Sequence, residues 1–290
     1  MTRVTRALLD KWPLPDPSSG DDKDARGRVL VVGGQTSLPG AVILAGIASL
    51  RAGAGKLQIA TCASIAPSVG IAVPECMAIA LPESSDGTIS PRAAVALSSS
   101  AQETDAVLIG PGMIATESTN EFVAKLLGSC HRKRVVLDAG ALDMLNEYPQ
   151  ALSDFNGNAI ITPHAGEMAR ILGIDIEEVT KHPISVSLDA AETLGAHVVL
   201  KGSTTFVATP DGELFRYDAG DVGLATSGSG DTLAGVVAGL LARDTHPLHA
   251  ALWAVFLHGS AGNALAKKMG RIGYLARELL DEIPPIMNRG

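Results

Sequence analysis

A chain of 290 residues with 46% apolar residues but only 3% aromatics must build its core from Ala, Val, Ile and Leu, a composition suited to helices packed on a largely parallel sheet. Its net charge of −8 argues against a binder of nucleic-acid backbone, whose affinity rests on clustered Lys and Arg. Cys62, Cys76 and Cys130 are scattered and form no CxxC pair, which leaves no zinc knuckle or redox motif and fits a reduced, cytoplasmic setting.

The opening MTRVTRALLDKWPLP carries charges but no continuous apolar run, unlike a secretory signal. No apolar run reaches the length of a membrane span. Residues 1–25 read as a short N-terminal helix and an exposed lead-in, because 12–27 are rich in Pro, Ser, Gly and Asp. The first strand pattern is 28–33, followed by a helix over 39–53 and a strand over 56–61. Helices at 90–100, 117–128, 140–147, 165–171 and 185–194 then alternate with strands at 106–110, 134–138 and 158–162. Strands at 197–201, 204–208 and 213–216 precede helices at 231–242, 247–269 and 274–281. This alternation predicts a single α/β domain over 1–290, a three-layer αβα sandwich with a mostly parallel central sheet. Pro210-Asp211-Gly212 interrupts it with a small β-hairpin, expected at a sheet edge.

One turn stands out for chemistry. In ATSGSGDTLAGVVAGLLA, residues 225–242, Gly228, Ser229 and Gly230 run into Asp231 where a helix begins. Glycines let the backbone approach a ligand, and a helix N-terminus offers unpaired N–H groups to an anion. A carboxylate beside a phosphate makes sense when something arrives with a proton to lose, such as a hydroxyl that attacks phosphorus. The competing reading is that Asp231 merely caps the helix. Gly235 and Gly239 each cost a helix about 1 kcal/mol against Ala, and their spacing predicts close packing on another element. The usual nucleotide fingerprints are absent. GAGKL at 53–57 lacks the Ser or Thr and the distal Gly of a P-loop, and VVGGQTSLPG at 31–40 is not GxGxxG.

The stretches VVGGQTSLPGAVILAGIASLRAGAG, LIGPGM, VVLDAGAL, ITPHAGEMARIL, VVLKGSTTFVA and ATSGSGDTLAGVVAGLLA occur in this order, followed by HGSAGNALAKKMG at 258–270. The series resembles the ADP-dependent NAD(P)H-hydrate dehydratases, carbohydrate-kinase-like relatives of ribokinase, over residues 26–284. The resemblance implies a ribokinase-like fold and a lyase that repairs hydrated NADH and NADPH with ADP, or ATP, as co-substrate and Mg²⁺ as metal. It implies Asp231 as the base that takes the proton from the ring hydroxyl. It implies Ala41, Gly112 and His164 as contacts to the hydrated dinucleotide. Lys201, Gly202, Ser203, Thr204 and Thr205, with Ser229 and Gly230, match the adenine-nucleotide contacts. Glu167 stands where related kinases order hydrated Mg²⁺. From the residues alone, His164 also reads as a hydrogen-bonded loop histidine, Lys201 as a solvated strand-end lysine and Glu167 as a helix-start acid. The family further implies a homotetramer.

Three positions depart from the family pattern. Gly140 follows Asp138-Ala139 where a second Asp is usual, so the job of a second acid goes unfilled unless Asp143 substitutes. DAGDVGL at 218–224 replaces an Asn-Pro pair, and Asn263 stands where Asp is common. Rival readings are a small-molecule kinase of the same superfamily, which would release a stable phosphorylated product, and a nucleotide-binding regulatory module without chemistry.

Overall fold

The computed structural model describes residues 1–16 and 23–288, so most of the Ser/Gly/Asp-rich part of the expected lead-in, residues 17–22, lies outside the described residues. The strands are β1 (Thr2–Arg3), β2 (Arg28–Val32), β3 (Lys56–Cys62), β4 (Cys76–Leu81), β5 (Ala106–Ile109), β6 (Arg134–Leu137), β7 (Ala159–Ile161), β8 (His197–Leu200), β9 (Thr205–Ala208) and β10 (Leu214–Tyr217). They form one sheet in the order β1-β10-β9-β8-β7-β6-β5-β2-β3-β4. Only β9 opposes the rest. It pairs antiparallel with both β8 and β10, while every other pairing is parallel.

The β2 sequence RVLVV shows why the sheet is sandwiched. Val29 and Val31 feed one apolar cluster, and Leu30 and Val32 feed the other. A strand buried on both faces needs such a continuous apolar run. One face is covered by α2 (Pro39–Arg51), α10 (Ser229–Ala242), α11 (Pro247–Met269) and α12 (Ala276–Met287). The other carries α4 (Ala93–Gln102), α5 (Glu117–Leu127), α7 (Ala165–Leu172) and α9 (Pro183–Leu194). This is the expected three-layer α/β arrangement.

Several elements differ from the sequence expectation. β1 is too short to leave a pattern. It exists because it pairs with β10, so the predicted hairpin lies one strand in from the edge. β4, with helices α3 (Ala66–Ala72) and α8 (Ile176–Lys181), adds unpredicted elements. The helix expected over 140–147 is a 3-10 turn over Ala139–Ala141 followed by the four-residue α6 (Met144–Glu147). Ala139, just before the expected start, takes a left-handed φ of 50°, so the segment opens as a tight turn and not as a regular helix. α10 begins two residues earlier than expected, at Ser229, so Asp231 is its third residue.

α10 and α2 touch through their small residues. A Cβ on Gly235 would overlap the Ala45 carbonyl oxygen, and one on Gly239 would stand 2.8 Å from Ser49 Cα. The close packing read from their spacing is therefore present. It places the first turn of α10 beside the carboxyl ends of the parallel strands, where open α/β sheets bind ligands.

Candidate active site

Along that row of strand ends, β8 runs into Lys201, β7 into Thr162 and His164, β6 into Asp138, β5 into Gly110–Gly112 and β2 into Gly33 and Gly34. Lys201 is the centre of charge. Its Nζ donates to Asp138 Oδ1 at 2.9 Å and lies 3.8 Å from Glu167 Oε2. Thr162 Oγ1 donates to the same Asp138 oxygen at 2.7 Å. Burial works against the lysine's charge, but Asp138, Glu167 and Asp231 outweigh it and hold its pKa above the usual value. Lys201 is thus a partly buried, paired ammonium and not a solvated strand-end lysine.

The first turn of α10 faces this cluster. Gly228 takes the capping position with φ 86°, a conformation that favours glycine, and supplies no side-chain bond. Ser229 N donates to Thr226 O at 3.2 Å and Thr232 N to Gly228 O at 3.1 Å. The amides of Gly230 and Asp231 have no acceptor among the described residues. Because Gly228 is the cap, capping does not account for Asp231. Burial pushes the half-buried Asp231 carboxyl up to about 7. Repulsion from Asp138 and Glu167 adds to this, and attraction to Lys201 partly offsets it. A carboxyl poised near neutrality beside unpaired amides and an ammonium can accept a proton while anionic charge is stabilised next to it.

His164 and Glu167 lock each other at the start of α7. His164 Nδ1 accepts from Gly166 N at 3.0 Å and Glu167 N at 3.3 Å, and Glu167 Oε2 accepts from His164 N at 2.7 Å. This is a capping box with histidine in the Ser/Thr role. With Nδ1 accepting, the proton of the neutral ring is assigned to Nε2. Glu167 is only 7% exposed, so it is no ordinary surface acid.

A cleft of about 710 Å³ opens beside Lys201, with Gly202, Ser203, Thr205, Ser229 and Gly230 on its polar side and Tyr217, Leu224 and Val255 on its apolar side. Thr204 belongs to the same turn without lining the cleft. An apolar wall with a few convergent polar groups suits a flat heterocycle carrying phosphates. Gly112 and Ala41 meet farther along the row. A Cβ on Gly112 would stand 2.9 Å from Ala41 Cβ, and its φ is 70°. β7 and β6 lie between that pair and Lys201. Sequence reasoning overlooked His258 of α11. Its Nε2 lies 2.9 Å from Ser229 Oγ, and burial pushes its pKa down to about 4, so it stays neutral. Its signal in the sequence was only its place at the head of HGSAGNALAKKMG.

A profile of the NAD(P)H-hydrate dehydratase family matches residues 29–285. The ADP-dependent (S)-NAD(P)H-hydrate dehydratase of Xanthomonas campestris pv. campestris is 47% identical over 99% of this chain and 96% of its own. The chain belongs to the NAD(P)H-hydrate dehydratase family. A Bacillus subtilis member, the ADP/ATP-dependent dehydratase co-crystallized with ATP/Mg²⁺, superposes with a TM-score of 0.83 at 31% identity, covering 99% of this chain and 98% of that one. A hydroxyethylthiazole kinase from Pyrococcus horikoshii, at 17% identity and a TM-score of 0.61 over 91% of this chain and 89% of its own, shares the fold alone.

The departures from the dehydratase pattern have local explanations. A Cβ on Gly140 would stand 2.5 Å from Met113 O and 2.9 Å from the Ile114 carbonyl carbon, so the 113–114 backbone fills the space a second Asp would need. Asp143 does not replace that acid, because its carboxylate is paired with Arg170 Nε at 3.0 Å. In the 218–224 loop, Asp221 accepts from Gly223 N at 3.0 Å and pairs with Arg271 at 3.0 Å. Asn263 Nδ2 donates to Ala219 O at 2.6 Å, anchoring the same loop to α11.

Proposed function

We propose that the protein dehydrates the S-form of hydrated NADH and NADPH, consuming ADP and giving NAD(P)H, AMP and phosphate. The observation that carries this reading is Asp231, poised near neutrality at a helix start with two unpaired amides and the Lys201 ammonium beside it. Asp231 takes the proton of the ring hydroxyl, and the freed oxygen attacks the terminal phosphorus of ADP. AMP leaves, and the ring carbon now bears a phosphate ester. The lone pair of the ring nitrogen expels that phosphate, and loss of the adjacent ring proton restores the dihydronicotinamide. A positioned general base is worth about 10²–10⁴-fold. The amides of Gly230 and Asp231 stabilise charge on the transferring group.

Lys201–Thr205, Ser229 and Gly230 hold the nucleotide, and Ala41, Gly112 and His164 contact the hydrated dinucleotide. Glu167 would order hydrated Mg²⁺. Among the described residues no three His, Cys, Asp or Glu side chains converge on a metal site, which suits an ion that keeps its waters and is held mainly by phosphates. Such an ion would neutralise phosphate charge. ADP is favoured as donor because the Xanthomonas relative, similar over its whole length, is named for it. A cytoplasmic homotetramer completes the proposal. Among the described residues no helix is long and apolar enough to cross a membrane.

The test is to incubate hydrated NADH with the protein and Mg²⁺, with ADP and ATP in parallel, and follow dihydronicotinamide absorbance. Recovery with one AMP and one phosphate per NADH is expected. No recovery with either nucleotide from folded protein overturns the reading, and accumulation of a stable phosphorylated dinucleotide indicates a kinase instead.

A further inference from the structure

Asp138 is 2% exposed, and with Glu167 it makes up the buried acids among the described residues. A buried carboxylate is costly unless charged and polar partners surround it. Its partners are Thr162 Oγ1 at 2.7 Å and Lys201 Nζ at 2.9 Å, both on Oδ1. The backbone holds it from three sides. Asp138 N donates to Ile109 O at 3.0 Å, Ala139 turns left-handed immediately after it, and Gly110 lets the Asp138 carbonyl pass where any Cβ would overlap it. The carboxylate is therefore a fixed point.

Lysine is a point charge on a flexible four-carbon stem, so a fixed partner decides where its ammonium stands. Held by Asp138, Lys201 Nζ lies 3.3 Å from the position of a Cβ on Gly230, directly against the first turn of α10. Glu167 is the weaker tether. It lies 3.8 Å away, and its Oε2 is already taken by His164 N. With glycine at position 140 and Asp143 engaged by Arg170, no second acid of that turn shares the task.

We propose that Asp138 is a positioning residue for the phosphoryl-transfer step, holding the Lys201 ammonium where charge on the group in flight collects. The step itself rests on the dehydratase reading; the tether does not. Asp138→Asn keeps an acceptor oxygen and the side-chain volume but loses the charge that fixes the lysine. It should lower kcat about 10-fold or more and change ADP affinity by much less, since the loss of a nearby negative charge and the loosening of the lysine act on anion binding in opposite directions.

The experiment compares wild type, Asp138→Asn, Lys201→Met and the double variant in full-length protein. It measures turnover of hydrated NADH with ADP and Mg²⁺, ADP affinity by calorimetry, and the Nζ resonance of ¹⁵N-labelled Lys201. Expected is a double variant no slower than Lys201→Met within about 3-fold, the signature of residues acting as one unit. The protected Nζ resonance of wild type should be lost in Asp138→Asn. Thr162→Val leaves both charges in place and should give the same non-additivity at a several-fold scale. It carries the test if Asp138→Asn does not fold. An Nζ resonance untouched by the variants, or losses in kcat that multiply in the double variant, overturns the inference. The resonance needs no turnover, so wild type that forms no NADH defeats the dehydratase reading separately.

Discussion

Gly235 of α10 lies so close to Ala45 of α2 that a Cβ on the glycine would overlap the alanine carbonyl oxygen and stand 2.7 Å from Ala48 Cβ. Helix propensity favours Ala over Gly by about 1 kcal/mol, whereas forcing a methyl into packed backbone costs about 1–3 kcal/mol. Packing wins here because the obstacle is main chain. Gly235→Ala should destabilise by about 1–2 kcal/mol in urea denaturation and lower turnover, because α10 also carries Asp231. Gly40→Ala is the control. It is helical with nothing within 4 Å of its would-be Cβ, so it should be neutral or slightly stabilising. Equal effects at the two sites would contradict the packing account.

Asp231 links activity to stability with opposite signs. Its pKa in the fold is raised from 3.8 to about 7, chiefly by burial. The folded state therefore binds more protons than the unfolded state between these values, and the group costs stability as pH rises through the folded pKa. Asp231→Asn removes that cost. It should abolish dehydration yet stabilise the fold at pH 8 by about 1–2 kcal/mol, less than the full shift because solvent reaches part of the side chain. The gain should shrink as pH falls toward 4. In wild type, kcat/KM should fall on the acid side with an apparent pKa near 7. Thermal midpoints across pH and a pH–rate profile read both effects.

How much of this was legible in advance follows from how local each signal is. The β2 run RVLVV and the glycine turn at 228–230 announce themselves, because burial on both faces and a left-handed cap leave residue-type signatures. Asp231 was found for that reason. Its poise was not, because that depends on Asp138 and Glu167, which lie 93 and 64 residues earlier in the chain (231 − 138 and 231 − 167). The tether between Asp138 and Lys201 joins the ends of β6 and β8, with β7 between them, and strand order leaves no mark in one sequence. β1 was invisible because two residues carry no period, and β4 because an apolar run of six fits a helix segment equally well. His164 was legible as a helix-start residue only in hindsight, since histidine seldom fills the Ser/Thr place of a capping box.

His197, at the start of β8, makes the fold sensitive to acid. It is 6% exposed, and burial pushes its pKa down to about 4, with His246 adding to the effect while Asp211 and the Gly157 backbone oppose it. A histidine with a depressed pKa contributes stability that is present above its unfolded value of 6.5 and is lost as pH falls toward 4. About 2–3 kcal/mol should disappear over that window on this account. His258 acts in the same direction, and Asp231 in the opposite one. His197→Leu should flatten the decline in urea midpoints between pH 7 and pH 4.5. An unchanged slope would move the origin of acid sensitivity elsewhere.

Arg271 stands on the wall of the cleft beside Lys201. Its guanidinium pairs with Asp221 at 3.0 Å, and both residues line the cleft. The arginine side chain is 72% exposed, and such a solvent-screened pair adds little to stability. Its consequence lies in the cleft wall. Asp221 also holds Gly223 N, and Leu224 packs where a Cβ on Gly262 of α11 would stand 2.7 Å away. Releasing Asp221 frees the segment that forms the apolar wall and leaves the proposed base, Asp231, untouched. Arg271→Ala should therefore raise KM for ADP about 3–10-fold with kcat retained, the pattern of lost uniform binding, and leave the thermal midpoint almost unchanged. Raising salt to about 0.5 M should reproduce part of the effect in wild type, because exposed ion pairs are screened. A fall in kcat at unchanged KM would instead place Arg271 with the transferring phosphate, at the other end of the nucleotide.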